Sequence, residues 1–286
     1  EFDVEEGPSA QLSGGIGYSE SQSFILNGSY IDSNFLGTGQ RVSIDLNSGS
    51  YYKQYGFSHT NPYVTVDELG RTVSLAYRDV TQFTSAASDF SSETITAGLN
   101  YSYPITEYQT VLFGVSLQQA ELFTVEGGSA DQAVDWVRSN GDSEVRTVND
   151  PFFGEITFAS TSFKTAELVA GWSIDTRNRT LFADRGMRHS LTLSYTVPGS
   201  EVEYWVANYD YLQYVPLWGP FTLAFNAEVG YGEDIGKTTA LPPYRQFFAG
   251  GPDSVRGYKE QRLGPKDSNG NPYGGNLRVV ARAELI

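Results

Sequence analysis

The pattern along this chain is alternation. In residues 108–122, Val111, Phe113, Val115 and Leu117 alternate with Leu112, Gly114, Ser116 and Gln118. In residues 220–231, Phe221, Leu223, Phe225, Ala227, Val229 and Tyr231 alternate with Thr222, Ala224, Asn226, Glu228 and Gly230. In residues 70–79, Val73, Leu75 and Tyr77 alternate with Thr72, Ser74 and Arg78. The final stretch places Leu277, Val279, Ala281, Ala283 and Leu285 on one face, and Arg278, Val280, Arg282 and Glu284 on the other. A period of two sends successive side chains to opposite faces of a strand. A soluble β-sandwich shows the same alternation with its apolar face inward, so the period alone leaves both architectures open.

Three features favour a membrane-spanning sheet. The strands run to roughly 10–15 residues, long enough for a tilted strand to cross a bilayer. Aromatic residues crowd the strand ends, at Tyr51, Tyr52, Tyr101, Tyr103, Trp205, Tyr209, Tyr211, Tyr214 and Trp218, as in the girdles where amphipathic rings meet the membrane interface. Connections alternate between short ones (33–37, 104–108, 217–220) and long ones (124–154, 233–275), the asymmetry of periplasmic turns and outer loops. The pattern predicts about twelve strands. It also predicts a short helix at 130–139, where Ala133, Val134 and Val137 share a side. No repeat, linker or second domain is visible.

Composition supports the β reading. Of 286 residues, 19 are Tyr, 17 are Phe and 30 are Gly; Tyr and Phe favour strands. No window approaches the ~20 apolar residues of a membrane-spanning helix. The mean hydropathy of −0.32 fits a membrane barrel, because only alternate residues face lipid. The net charge of −15 argues against nucleic-acid binding, which needs a basic surface. With no cysteine, disulfide and thiolate chemistry are excluded. The opening Glu1-Phe2-Asp3-Val4-Glu5-Glu6 lacks a leader signature, so the chain reads as a processed or excised piece.

The last long connection contains Phe248-Ala249-Gly250-Gly251-Pro252-Asp253-Ser254-Val255-Arg256-Gly257-Tyr258. This resembles the Gly-Gly and Val-Arg-Gly-Tyr pattern of the BamA superfamily of outer-membrane insertion and translocation barrels. Other matches follow in order: Asn34-Phe35-Leu36-Gly37-Thr38-Gly39, Asn61-Pro62-Tyr63 with Thr65-Val66-Asp67, and Asp175-Thr176-Arg177-Asn178 through Ala183-Asp184-Arg185-Gly186. Gly274-Gly275-Asn276 and Ala283-Glu284-Leu285 complete the series, and Val4-Glu5-Glu6-Gly7-Pro8-Ser9 resembles the exit from a final periplasmic POTRA domain. The resemblance spans essentially the whole chain. It fits the assembly branch better than the two-partner secretion transporters, through the segments at Phe35 and Asn61.

The resemblance implies an all-β, antiparallel transmembrane barrel over residues 10–286, preceded by the POTRA exit at 1–9. It implies about sixteen strands, of which the last four or so, including the closing strand, would follow Ile286. The long loop would fold back into the lumen, where its arginine pairs with wall carboxylates. Val255, Arg256, Gly257, Tyr258 and Glu284 form the expected lock, with Glu284 as partner because a partly desolvated arginine needs an anion. A purely structural role for this lock stands nearly level with a functional one. Gly14, Gly15, Ile16, Gly17 and Tyr18 lie in the expected first strand, 11–19, whose glycines weaken it. In the family that strand forms a lateral seam that can template an incoming strand; read without the family, it is a softened strand bend.

The cluster Asp175, Arg177, Arg179, Asp184, Arg185, Arg188 and His189 reads as a solvated turn rather than a phosphate site. His59 and His189 lack metal-ligand spacing, and no nucleophile elbow or phosphate loop is present. These absences lead to the expectation of a non-enzyme without cofactor, and the resemblance implies one that folds and inserts nascent outer-membrane barrels. Its expected partners are those barrels, accessory assembly lipoproteins reached through POTRA domains, the bilayer and lipopolysaccharide. The alternative within the superfamily is a polypeptide-translocating pore, TamA-like or of the two-partner secretion type. A soluble β-rich binding module is a third reading, and it predicts extraction without detergent.

Overall fold

The computed structural model describes residues 7–19, 23–49, 52–81, 91–150, 154–219, 221–252, 254–259 and 261–286. Tyr51, Pro220, Asp253 and most of the expected POTRA exit (1–6) lie outside them. Thirteen strands form one antiparallel sheet: β1 (Ala10–Ser19), β2 (Ser23–Asp32), β3 (Arg41–Gly49), β4 (Tyr52–Asn61), β5 (Gly70–Thr81), β6 (Ser91–Thr106), β7 (Gln109–Val125), β8 (Asp142–Asp150), β9 (Gly154–Asp175), β10 (Gly186–Thr196), β11 (Tyr204–Pro216), β12 (Thr222–Asp234) and β13 (Leu277–Leu285). Twelve follow one another along the sheet, and β8 pairs with β9 off that path. Among the described residues the sheet is not closed, and β1 and β13 lie at its ends. The helix α1 (Asp131–Ser139) sits between β7 and β8.

Register explains the two faces. Tyr55 pairs with Tyr77, Tyr77 with Ile95, Leu99 with Val115, Val115 with Leu168, and Leu168 with Tyr195. These rows form a continuous exposed apolar surface that includes Leu12, Ile16, Phe57, Leu75, Phe113, Leu117, Phe225 and Val279. On the opposite face hydroxyls pair across strands, Ser13 with Ser29 at 2.6 Å, Ser43 with Ser58 at 2.8 Å and Thr60 with Thr72 at 3.0 Å. That inner face borders a cavity of about 620 Å³ lined by Gln54, Ser74, Arg78, Asn100, Gln118 and Glu167 among others. Apolar outside and polar inside is the polarity of a membrane barrel wall and the reverse of a soluble sandwich.

The wall was legible as alternation; its extensions were not. The predicted helix at 130–139 is present at Asp131–Ser139, but the rest of the expected loop 124–154 is largely strand, because β8 pairs with β9 from Asp142↔Ser162 to Asp150↔Gly154. Nearly every described side chain of β8 is exposed, so no hydrophobic period marks it. The expected turn 104–108 shrinks to two residues, with Pro104 inside β6 at a register shift.

Arginine placed at Phe113, mid-wall on the lipid face, is expected to destabilise the folded protein by about 2–4 kcal/mol. Arginine at the neighbouring lumen-facing Ser116 should cost far less. Equilibrium unfolding in lipid vesicles reads both.

Candidate functional site

Three regions concentrate features that a plain wall does not need: the mouth filled by the long connections, the Val-Arg-Gly-Tyr segment, and the edge strand β1.

At the mouth the inner face changes character. Ala120 and Leu122 of β7, Ala159 and Phe163 of β9, and Tyr204 and Val206 of β11 point inward and are buried with Trp136 and Val137 of α1 and Leu241 of the β12–β13 connection. Trp136 packs edge-on against Phe163 at 5.7 Å and donates its indole N–H to the Ala240 carbonyl at 2.8 Å. Asn140 donates to Thr239 Oγ1 at 2.7 Å and accepts from the Thr239 amide at 3.0 Å. Ser268 accepts from the Asp131 amide at 3.0 Å, and its own amide donates to Gln132 Oε1 at 3.2 Å. The two long connections thus clasp each other over the wall. Each large apolar side chain buried there contributes about 1.5–3 kcal/mol.

Below this core lies a buried ionic site that the sequence did not announce. A tight turn at Pro243–Arg245 directs Arg245 to Glu167 of β9, with which it forms an ion pair. Its guanidinium also donates to the Tyr204 hydroxyl at 3.0 Å and to Gln118 Oε1 at 3.3 Å, and lies over the Tyr204 and Tyr244 rings at 5.4 and 5.7 Å. Tyr204 donates to the same Glu167 carboxylate, and Gln118 Nε2 donates to the Tyr244 hydroxyl at 3.1 Å. The Glu167 side chain is only 4 % exposed. Burial opposes the charge of Arg245, yet Tyr204, Glu167 and Tyr244 around it hold its pKa above the ordinary arginine range. Burial pushes the Tyr244 phenol up. A cation in such a place needs an anion within contact; Glu167 supplies it, Tyr204 and Gln118 accept further N–H groups, and the Tyr204 and Tyr244 rings cover the guanidinium. Sequence offered only a Glu in the middle of an alternating strand and an Arg after Pro-Pro, separated by 78 positions.

The loop then runs along the β12–β13 wall. Phe247 lies against Gly230, where a Cβ would come within 2.4 Å of the ring, so only glycine lets the ring approach. Arg278 covers the other side of Phe247 at 5.7 Å and pairs with Glu228 at 3.4 Å, and Arg282 pairs with Glu228 at 2.5 Å. Arg256 reaches Glu284, Nη2 to Oε1 at 2.6 Å. Among the described residues the partly desolvated setting expected for that pair is not seen: the two side chains are 73 % and 43 % exposed. Val255 is half-buried, whereas Gly257 and Tyr258 are exposed. The Val255 carbonyl accepts from the Tyr258 amide at 3.4 Å.

Strand β1 pairs with β2 along its full length, from Ala10↔Asp32 to Ser19↔Ser23. Its other edge has no partner among the described residues. Gly14, Gly15, Ile16 and Tyr18 are exposed and Gly17 half-exposed, and Tyr18 touches Phe24 edge-on at 5.4 Å. The two regions flagged in the sequence, the lock residues and the first strand, thus occupy opposite ends of the sheet. His59 binds Gln40 Oε1 at 2.6 Å and His189 binds the Tyr209 hydroxyl at 2.6 Å.

The profile of the Omp85 superfamily domain matches residues 34–286. The chain belongs to that superfamily. Among its relatives, an outer membrane protein assembly factor BamA from Neisseria meningitidis serogroup B is 27 % identical over 276 residues, covering 94 % of this chain and 33 % of the relative. One from Nitratidesulfovibrio vulgaris is 24 % identical over 295 residues, covering 99 % of the chain and 32 % of the relative. The chain therefore spans about a third of the length of these relatives. In fold it is similar to the crystal structure of BamA from Haemophilus ducreyi lacking POTRA domains 1–3, with a TM-score of 0.81 and 23 % identity over 99 % of this chain and 54 % of that one. As an Omp85 barrel chain it is an outer-membrane protein, and its apolar surface faces lipid.

Replacing Glu167 with Gln removes the anion beside Arg245 and is expected to cost of order 3 kcal/mol. Arg256→Ala breaks an exposed pair and should cost about 1 kcal/mol or less. Thermal unfolding and limited proteolysis of the 235–276 connection compare the two, and equal losses would overturn this ranking.

Proposed function

We propose that this chain is the barrel portion of a factor that folds and inserts nascent outer-membrane β-barrel proteins. The single observation that carries this reading is the similarity, over 94–99 % of the chain, to relatives named outer membrane protein assembly factor BamA. The edge strand supports it. β1 is glycine-rich, and a strand so weakened at a barrel seam can yield its backbone N–H and C=O groups to an incoming strand. Pairing satisfies backbone groups that hydrocarbon leaves unsatisfied, and burial of the newcomer's apolar face in lipid is favourable. Both steps run downhill, so no nucleotide, metal or catalytic residue is required. The Arg245–Glu167 site and the clasped connections hold the mouth in one arrangement.

Nascent barrel proteins are the substrates in this reading. Accessory lipoproteins acting through POTRA domains, and lipopolysaccharide in the outer leaflet, are its further partners. The Arg256–Glu284 pair serves to fix the Val-Arg-Gly-Tyr segment to the β13 wall.

Depletion of the protein from its organism should lower the folded amounts of many unrelated outer-membrane barrels together, as read by quantitative proteomics of outer-membrane fractions. Loss of one exported substrate alone, with the other barrels unchanged, would replace this reading with a dedicated translocation pore.

A further inference from the structure

The turn between β9 and β10 is built more rigidly than a solvated connection requires, and it presents apolar side chains. Arg177 forks onto Asp175, with Nε to Oδ1 at 2.9 Å and Nη2 to Oδ2 at 2.7 Å. Asn178 donates to Asp184 Oδ1 at 3.0 Å and accepts from the Asp184 and Arg185 amides at 3.2 and 3.4 Å. The Thr176 amide donates to the Met187 carbonyl at 2.8 Å. Gly186, at φ 98°, closes the base where a Cβ would lie 2.3 Å from the Thr176 carbonyl oxygen. On this frame Leu181 is 75 % and Phe182 90 % exposed, and Phe182 is held at φ 54°. A bulky residue in the left-handed region is strained and persists only where its surroundings impose it. A solvated turn gains nothing by holding a phenylalanine there in water.

Three observations identify what covers these side chains. The first is position. The two long connections, 126–141 and 235–276, lie at the other end of the strands, which makes this the periplasmic end, and directly above this turn the outward face carries Trp172, His189, Tyr209 and Tyr211 in ring contact, His189 lying 4.8 Å from Tyr211 and 6.2 Å from Trp172. The apolar residues thus continue an aromatic belt of the kind found at a membrane interface. The second is charge. The chain carries −15 overall, yet residues 175–188 hold Arg177, Arg179, Arg185 and Arg188 against Asp175 and Asp184. The other connections at this end (33–40, 62–69, 107–108 and 217–221) hold no cation at all. The third is availability. Arg179 and Arg185 share the single carboxylate of Asp184, at 2.7 and 3.9 Å, and remain 61 % and 72 % exposed.

We propose that this turn is an interfacial anchor: Leu181 and Phe182 enter the periplasm-facing leaflet, and Arg179 and Arg185 take the phosphates of anionic phospholipids there. Apolar side chains flanked by arginines are the composition that binds such a surface. Anchoring one turn fixes the depth and tilt of β9 and β10, the strands beside the Glu167 site.

The test places one environment-sensitive fluorophore at Leu181→Cys in the full-length protein, with any cysteine outside this chain replaced; the chain itself has none. The protein is folded into vesicles of phosphatidylcholine or of equimolar phosphatidylcholine and phosphatidylglycerol, and folding is checked by circular dichroism. Headgroup-labelled nitroxide lipids should quench the probe, with a preference for the anionic nitroxide lipid of roughly fivefold, the attraction expected for about one surface cation. R179A/R185A should abolish the preference while leaving quenching, and Phe182→Ser should reduce quenching itself. A probe that stays open to aqueous iodide and unquenched by lipid overturns the proposal. So does shielding that appears only when periplasmic proteins are added, which would make the turn a protein-docking site. A lipid preference unchanged by R179A/R185A removes the headgroup role.

Discussion

Hydrocarbon offers no hydrogen bonds, and that constraint shapes nearly everything in this chain. Each backbone N–H and C=O within the bilayer must find a partner in the protein. Twelve strands meet the demand by pairing side by side in one antiparallel sheet, and the same pairing dictates side-chain direction. Once register is set, alternate residues face lipid and the rest face the lumen. The rows from Tyr55 to Tyr195 on one side and the Ser and Thr pairs on the other are two consequences of one ladder.

Above the belt the rule relaxes, and the protein behaves like a small soluble domain. Leu122, Phe163 and Val206 lie on the lumen face yet are buried, because α1 and Leu241 cover them. The clasp between the two long connections depends on polar groups that match one to one, such as Asn140 with Thr239. It also depends on Arg245, which bridges loop and wall by finding the nearly fully buried carboxylate of Glu167. Desolvation makes that pair consequential. The Arg256–Glu284 pair has similar geometry, but solvent screens it and weakens its hold.

The β9–β10 turn has open apolar side chains on a braced frame. It lies at the opposite end of β9 from the packed mouth. A rigid mouth and an anchored turn thus hold the two ends of one strand.

The sequence by itself determined the wall. Alternation at Val111–Leu117 and Phe221–Tyr231, aromatic strand ends and uneven connections specify a lipid-facing sheet, because those signals are local and repeat every second residue. It also marked the Val-Arg-Gly-Tyr segment, Glu284 and the glycines of β1, whose motifs lie in short contiguous stretches. Only the tertiary structure decided the rest. Strand β8 has no buried face to betray it, and the Arg256 pair proved exposed rather than desolvated, since burial depends on what packs nearby. Arg245 and Glu167 meet across 78 positions, Phe247 settles on a glycine of another strand, and Phe182 is braced by Asn178 and Asp184. Such contacts arise when the folded chain brings distant side chains into the same dry or strained space. No residue carries that information alone.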